Sequence, residues 1–317
     1  MTERRGEAKQ RPIGWNLFKS AFEQWYNDGP FQLAAALAYY TLLSLAPLLI
    51  ILIGIVGLFF GESAAESYIV GAIAGLVGPQ SAQAVQEIVR NASEQGGGLL
   101  ATIVGVALLL FGAGGVVGQL QFSLNTVWGV KAQTARGWWP IIRARFLSYA
   151  MLLAIGFLLL VSLVVTTVVS AVSEYFNELL PALAFVWPIV DVAISFSLVT
   201  ILFALIYKVL PDAQIAWRDV WVGAALTSLS FSVGKFLIGL YLGKSTVASA
   251  YGAAGSLITV LLWVYYSALI FFFGAEITRV YATQYGSGLK PTEVAVKTEE
   301  GHKKEKTIEQ QATPVRR

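Results

Sequence analysis

The sequence contains no cysteine, a single histidine and few charged side chains. Without cysteine, the chain has no disulfide framework, no thiol nucleophile and no thiolate ligand for a metal. The one histidine, His302, lies in a polar segment, so the sequence supports neither a Ser–His–Asp triad nor a histidine-based metal hydrolase. Only 13% of the residues are charged, about half of what soluble domains carry. We therefore expect a protein that is not an enzyme and that binds no cofactor or metal.

Apolar residues make up 56% of the chain and are concentrated in long runs. A helix that crosses a bilayer needs roughly 20 mostly apolar residues. Lipid offers no partner for free backbone groups, so these runs are expected to be helices with internal hydrogen bonds. The predicted fold class is an all-α polytopic membrane bundle with six transmembrane helices, at residues 33–60, 99–122, 146–170, 183–207, 220–242 and 253–281.

Lysine and arginine are unevenly distributed between the connections, and cytoplasmic connections are the ones enriched in them. The N-terminal segment, the second and fourth connections and the C-terminal region are rich, whereas the first, third and fifth connections hold one basic residue or none. This alternation predicts that both termini lie in the cytoplasm. The predicted domains are a cytoplasmic N-terminal segment (1–30), a six-span domain (31–285) and a disordered cytoplasmic tail (286–317).

Two segments outside the spans have helical patterns of their own. Residues 13–27 place five aromatic side chains at helical spacing opposite Lys19 and Glu23, as in a helix that lies in the membrane interface. The first connection contains two helical stretches, residues 64–77 and 81–92, separated by Gly78-Pro79. We therefore expect an amphipathic N-terminal helix and an external helical hairpin between spans 1 and 2.

Charged residues inside predicted spans are costly and point to function unless they are paired. Asp191 lies 17 residues before Lys208, and Lys235 lies 17 residues after Arg218. At about 1.5 Å per residue, both are about 25 Å from the cytoplasmic rim, so an ion pair between them is predicted in the outer half of the membrane. The pair would belong to a substrate pathway or would be a structural bridge. Alternatively, Lys235 extends towards the head groups.

Glu276 lies near the cytoplasmic end of the last predicted span. Arg279 is three residues further on, so the alternative to a functional role is a local pair on the helix surface. Pro47 should bend the first span near its middle. Several polar residues share this half of the bundle and could line an inward-facing cavity, although ordinary hydrogen bonds between helices explain them equally well: Tyr39, Tyr40, Ser44, Gln119, Gln121 and Asn125.

Four stretches resemble the signature segments of the YihY/BrkB family of bacterial inner-membrane proteins. They are residues 34–47 (AAALAYYTLLSLAP), 124–129 (LNTVWG), 210–219 (LPDAQIAWRD), and 251–256 (YGAAGS) continuing to 273–276 (FGAE). The similarity extends over residues 15–281 in matching order. The resemblance implies a membrane protein that acts as a transporter or a lipid flippase, with membrane lipids and a lipid or amphiphilic substrate as partners.

The same family has carried the label ribonuclease BN. The sequence argues against that activity, because it has no histidine or metal cluster and its basic residues follow membrane topology rather than forming a nucleic-acid groove. No nucleic-acid partner is therefore expected. A membrane scaffold that transports nothing stays open as an alternative function, and so does assembly into a homo-oligomer.

Overall fold

The computed structural model describes residues 13–77, 82–87, 90, 99–132, 186–244, 255–292 and 295–312. This part of the chain is almost entirely helical. Its eight long helices are α1 (Ile13–Asn27), α2 (Pro30–Phe60), α3 (Glu62–Val77), α4 (Leu99–Trp128), α5 (Val186–Val209), α6 (Trp217–Lys244), α7 (Gly255–Gln284) and α8 (Glu299–Ala312). Four short strands are also present: β1 (Val130–Ala132), β2 (Ala213–Gln214), β3 (Lys290–Pro291) and β4 (Ala295–Lys297).

Three helices in the described part are long and apolar enough to cross a membrane. These stretches are Val192–Val209 in α5, Trp217–Ile238 in α6 and Gly255–Gln284, which is the whole of α7. Helices α2 and α4, with 31 and 30 residues, coincide with two further predicted spans. The predicted span at 146–170 lies outside the described residues. The helical class of the fold is thus confirmed, while the count of six spans and their orientation stay predictions.

Glycines in the left-handed region end two of the long helices. Gly61 (φ 85°) follows α2 and its N–H donates to the Gly57 carbonyl at 2.9 Å. Gly129 (φ 66°) follows α4, and its N–H donates to the Thr126 carbonyl at 3.1 Å. Only glycine adopts this backbone region without strain, which is why helices so often stop there.

Helix α7 lies at the centre of the described bundle and packs against α1, α2, α4 and α6. Its contact with α6 is especially close at two points. A Cβ atom added at Gly223 of α6 would collide with Thr278 of α7, and one added at Gly274 of α7 would collide with Thr227 of α6. Small residues allow helix backbones to approach in this way, which gains packing contacts inside a membrane.

The predicted hairpin after the first span is helical in both limbs, at α3 and at residues 82–87. Gln86 donates to Glu66 across the two limbs at 2.7 Å, and Val85 is buried in one cluster with Ala65 and Ile69. The turn at residues 78–79 lies outside the described residues. The placement of the hairpin outside the membrane stays a prediction.

The structure differs from the sequence expectation beyond residue 286, where we predicted a disordered tail. We call the described residues 286–292 and 295–312 the strap. Strand β4 pairs antiparallel with β1, and β3 pairs antiparallel with β2, before α8 begins. The strap is ordered because it buries its few apolar side chains, Leu289 and Ile308 among them, and because its backbone pairs with the ends of the bundle. The composition rule for disorder does not detect such docking.

Candidate functional site

A fully buried ion pair lies near the end of α7. Arg279 and Glu276 are one helical turn apart, with Nη1 of the arginine 3.3 Å from Oε1 of the glutamate, and their side chains are 2% and 0% exposed. The same Nη1 donates to the carbonyl oxygen of Val127, in the last turn of α4, at 2.8 Å. The pairing of Glu276 with Arg279 that the sequence allowed is therefore present, but it lies inside the bundle and not on a helix surface.

A second buried ion pair lies beside the first and involves the strap. Lys304 of α8 pairs with Asp28, which follows α1, and their side chains are 13% and 3% exposed. Lys304 also donates to the carbonyl oxygen of Thr126 at 3.2 Å. Two acids and two bases thus meet where α1, α4, α7 and α8 converge. We call Asp28, Glu276, Arg279 and Lys304 the ion network.

Several polar atoms in and around the ion network have no hydrogen-bond partner among the described residues, although they are buried. They are Oδ2 of Asp28, Oε2 of Glu276, Nε of Arg279, Nε1 of Trp25, Nε1 of Trp128 and Oε1 of Gln284. Native structures seldom leave such groups without a partner, because each costs about 1–3 kcal/mol. The arrangement is therefore a buried polar cluster whose formation is energetically costly.

Burial raises the pKa of the Asp28 carboxyl above its ordinary value of 3.8, and the negative charge of Glu300 adds to the increase. The positive charges of Lys304 and Arg279 act in the opposite direction. A proton therefore binds more tightly to Asp28 in this buried arrangement than to a hydrated aspartate. Proton binding stabilises the arrangement fully below pH 3.8, and this contribution is lost as the pH rises through the raised pKa.

Two of the signature segments meet at Asp212, at the same end of the bundle. The Nδ2 of Asn125 donates to Oδ2 of Asp212 at 2.8 Å, and the Asp212 N–H donates back to Oδ1 of Asn125 at 2.8 Å. Gln121 approaches the same carboxylate at 3.3 Å and 3.4 Å. The strap joins them, since both the N–H and the hydroxyl of Thr292 donate to the Asp212 carbonyl. The predicted residues Gln121 and Asn125 therefore hold the connection between α5 and α6.

The remaining predicted polar residues do not converge on one place. Ser44 is buried and donates to the Thr41 carbonyl of its own helix at 3.1 Å. Gln119 donates to Ser123 at 3.2 Å, one turn further along α4. Tyr40 packs on Gly115, and Tyr39 is 56% exposed. The cavity that these residues were expected to line together stays a prediction.

The predicted pair of Asp191 and Lys235 lies partly outside the described residues. Lys235 is exposed on α6, between other exposed side chains such as Val233 and Phe236. Asp191 lies in α5, but its side chain is outside what the structure describes, as is the side chain of Pro47. The ion pair and the bend at Pro47 therefore stay predictions.

Sequence reasoning missed Asp28, Lys304 and Asp212. Asp212 stands in the signature segment LPDA, so its motif could have drawn attention to it. Asp28 and Lys304 carry no sequence signal, because their pairing depends on the docking of the strap.

The family model described as virulence factor BrkB matches residues 21–298 of this chain. The chain is similar to UPF0761 membrane proteins from two Xanthomonas strains. The protein from Xanthomonas oryzae pv. oryzae is 28% identical, over 86% of this chain and 62% of its own length. The protein from Xanthomonas axonopodis pv. citri is 27% identical, over 85% of this chain and 61% of its own length. The chain spans about 60% of the length of these relatives. No solved structure matches it. The chain belongs to the virulence factor BrkB family of membrane proteins.

Proposed function

We propose that this protein moves a lipid or another amphiphile across the bacterial inner membrane and catalyses no covalent reaction. The observation that carries the proposal is the Glu276–Arg279 pair, which is buried in an apolar helix long enough to cross a bilayer. Ionisable groups at such places are expensive and commonly belong to pathways for polar or charged substrates. The partnerless Oε2 of Glu276 and Nε of Arg279 leave hydrogen-bonding capacity that a polar head group would use.

The proposed topology has six spans, with the ion network and the strap at the cytoplasmic face. Basic residues at this end of the bundle support the orientation: Lys131 after α4, Lys208 at the end of α5, Arg218 at the start of α6 and Lys290 in the strap. Positive residues are retained on the cytoplasmic side of inner-membrane proteins. The hairpin that contains α3 is then external.

The orientation is testable because the chain contains no cysteine of its own. Single cysteines are placed at Ser63 in α3 and at Thr307 in α8, both of which are exposed. A membrane-impermeant maleimide should label the first in intact spheroplasts and the second only after lysis. Labelling in the reverse order would contradict the proposed topology.

Transport is tested with vesicles of phosphatidylethanolamine and phosphatidylglycerol that contain a trace of short-chain fluorescent phosphatidylglycerol. Albumin extracts this lipid from the outer leaflet only. With the purified protein in the membrane, we expect extraction to continue beyond the outer-leaflet pool, at a rate that increases with the amount of protein. Protein-free vesicles are the control. Equal extraction from both, repeated with fluorescent phosphatidylethanolamine, would count against the transport proposal.

A membrane scaffold is the second candidate, and one observation favours it. All four charged groups of the ion network have an ion-pair partner within the chain, which is what a purely structural role requires. The exposed side of α8, with Lys303 and Lys306, would then be a binding surface. Absence of lipid movement in the vesicles, together with the proposed topology, would favour this alternative.

A further inference from the structure

The strap contacts the bundle at α1, at the end of α4, in the connection between α5 and α6, at the start of α6, and near the end of α7. Ser287 donates twice to Asp219 of α6, both at 2.9 Å, and Thr292 bonds to Asp212 between α5 and α6. Thr298 bonds to the Gly129 carbonyl after α4. Ile308 of α8 is buried with Ala21 of α1 and with Ile277 and Val280 of α7. The strap thus runs across this end of the bundle.

We propose that the strap is the cytoplasmic gate of the transport pathway and that the ion pair between Lys304 and Asp28 holds it shut. This inference rests on the proposed function. The gate covers the ion network, so the pair of Glu276 and Arg279 is reached from the cytoplasm only when α8 lifts.

The strap is held to the bundle by few contacts, as expected of a segment that can detach. Its ladders with β1 and β2 are only three and two residue pairs long, and ladders of that length are marginal without further support. Helix α8 is held to the helices beneath it by the buried side chains of Ile308 and Lys304, by the backbone contact of Gly301 with Gly129, and by a long bond from Gln284 to the Ile308 carbonyl. Removing the Lys304 side chain should therefore weaken the docking of α8 without unfolding the bundle.

The groups beneath the strap favour its release. Four polar side-chain atoms in the ion network and beside α8 are buried without a hydrogen-bond partner among the described residues: Oδ2 of Asp28, Oε2 of Glu276, Nε of Arg279 and Oε1 of Gln284. Water that entered as α8 lifted would offer them partners, which favours the open state. A closed state that is held by few contacts and opposed by buried polar groups is the kind of bistable element on which a gate depends.

Opening is measured without reference to transport. A cysteine replaces Val280, which is fully buried against Ile308, in the otherwise cysteine-free chain. An impermeant maleimide then labels this site only in molecules whose strap has lifted. With Lys304→Ala, we expect labelling to be about tenfold faster, since removing one partner leaves Asp28 as a buried charge without its cation. Lys303→Ala, the exposed neighbour, is the matched control and should label at the original rate.

A second variant holds the strap closed. Lys131 of β1 and Val296 of β4 are directly paired and both are exposed. Opposed residues in antiparallel strands have Cα atoms about 4.5–5.5 Å apart, which is within reach of a disulfide. Oxidising the Lys131→Cys, Val296→Cys protein should slow albumin extraction of fluorescent lipid by about tenfold or more, and reduction should restore it. Lys304→Ala should accelerate extraction.

The outcomes are distinguishable. Equal labelling of the Val280→Cys site in the Lys304→Ala, Lys303→Ala and parent proteins would overturn the gate. Faster labelling with unchanged lipid extraction, or equal extraction from the oxidised and reduced forms, would also overturn it while leaving transport intact. If no variant moves lipid, even those that label rapidly, the proposed function fails and the gate fails with it.

Discussion

Replacing Glu276 with leucine should lower the free energy of unfolding by about 3–5 kcal/mol, the usual cost of leaving a buried charge without its partner. The geometry of the pair agrees with a loss of this magnitude. The two charges are 3.3 Å apart and almost fully buried, and at an effective dielectric constant of about 20 their attraction is about 5 kcal/mol. Arg279 keeps its bond to the Val127 carbonyl, which does not neutralise its charge.

A double-mutant cycle with Arg279→Met separates the pair from its surroundings. Arg279→Met alone should lower the free energy of unfolding about as much as Glu276→Leu, since it leaves the buried glutamate without its cation. The double variant buries no charge and loses mainly the bond to Val127, so it should cost only about 1–3 kcal/mol. Unfolding is measured by titrating detergent-solubilised protein with dodecyl sulfate and following tryptophan fluorescence.

The exposed ion pair of Lys19 with Glu23, at 3.6 Å, provides the control. Lys19→Ala should leave the unfolding midpoint unchanged, because water and salt screen an exposed pair. A cost of less than about 1 kcal/mol for Glu276→Leu would contradict a charge-balancing role for this pair. So would single effects that simply add in the double variant, since contacting residues in one network are expected to couple.

Three further predictions concern the strap, the Asp212 contact and the helix crossing. The buried Asp28 carboxyl has a raised pKa, so maleimide labelling of the Val280→Cys site, relative to an exposed cysteine, should slow as the pH falls towards that pKa. Asp28→Asn should abolish this pH dependence, and an unchanged dependence in that variant would contradict the role of Asp28. Asn125→Ala removes both bonds to Asp212 and should lower the free energy of unfolding by about 1–3 kcal/mol in the dodecyl sulfate assay, whereas no loss would show the contact to be dispensable. Gly274→Ala should lower the thermal unfolding midpoint because its Cβ collides with the neighbouring helix, while Gly54→Ala, with open space around it, should not; equal midpoints would argue against the close crossing.

The long helices could be predicted from the sequence because hydropathy is a local property. Five predicted spans coincide with α2, α4, α5, α6 and α7 to within a few residues at most boundaries. Both limbs of the hairpin and the amphipathic helix α1 were also predicted as helices. On α1, Trp15 and Phe22 are exposed as expected, whereas Trp25 packs against Phe273 of α7.

The candidate site was only partly predictable, because its decisive contacts join segments that are far apart in the chain. Glu276 was identified from its place in an apolar run, and its neighbour Arg279 followed from helical spacing. Nothing in the local sequence indicates that Lys304 pairs with Asp28, which lies near the other end of the chain. The strap was missed for the same reason, since a charged segment reads as disordered until a docking surface for it is known.

The most direct test of the account is the rate of lipid movement in reconstituted vesicles with Glu276→Gln. Glutamine keeps the shape and hydrogen-bonding ability of the side chain but removes its charge from the pair with Arg279. We expect extraction to slow by about tenfold or more, which is about 1.4 kcal/mol in the barrier, while the exposed Glu299→Gln control matches the parent protein. Equal rates for Glu276→Gln and the parent, in protein that remains folded, would contradict it.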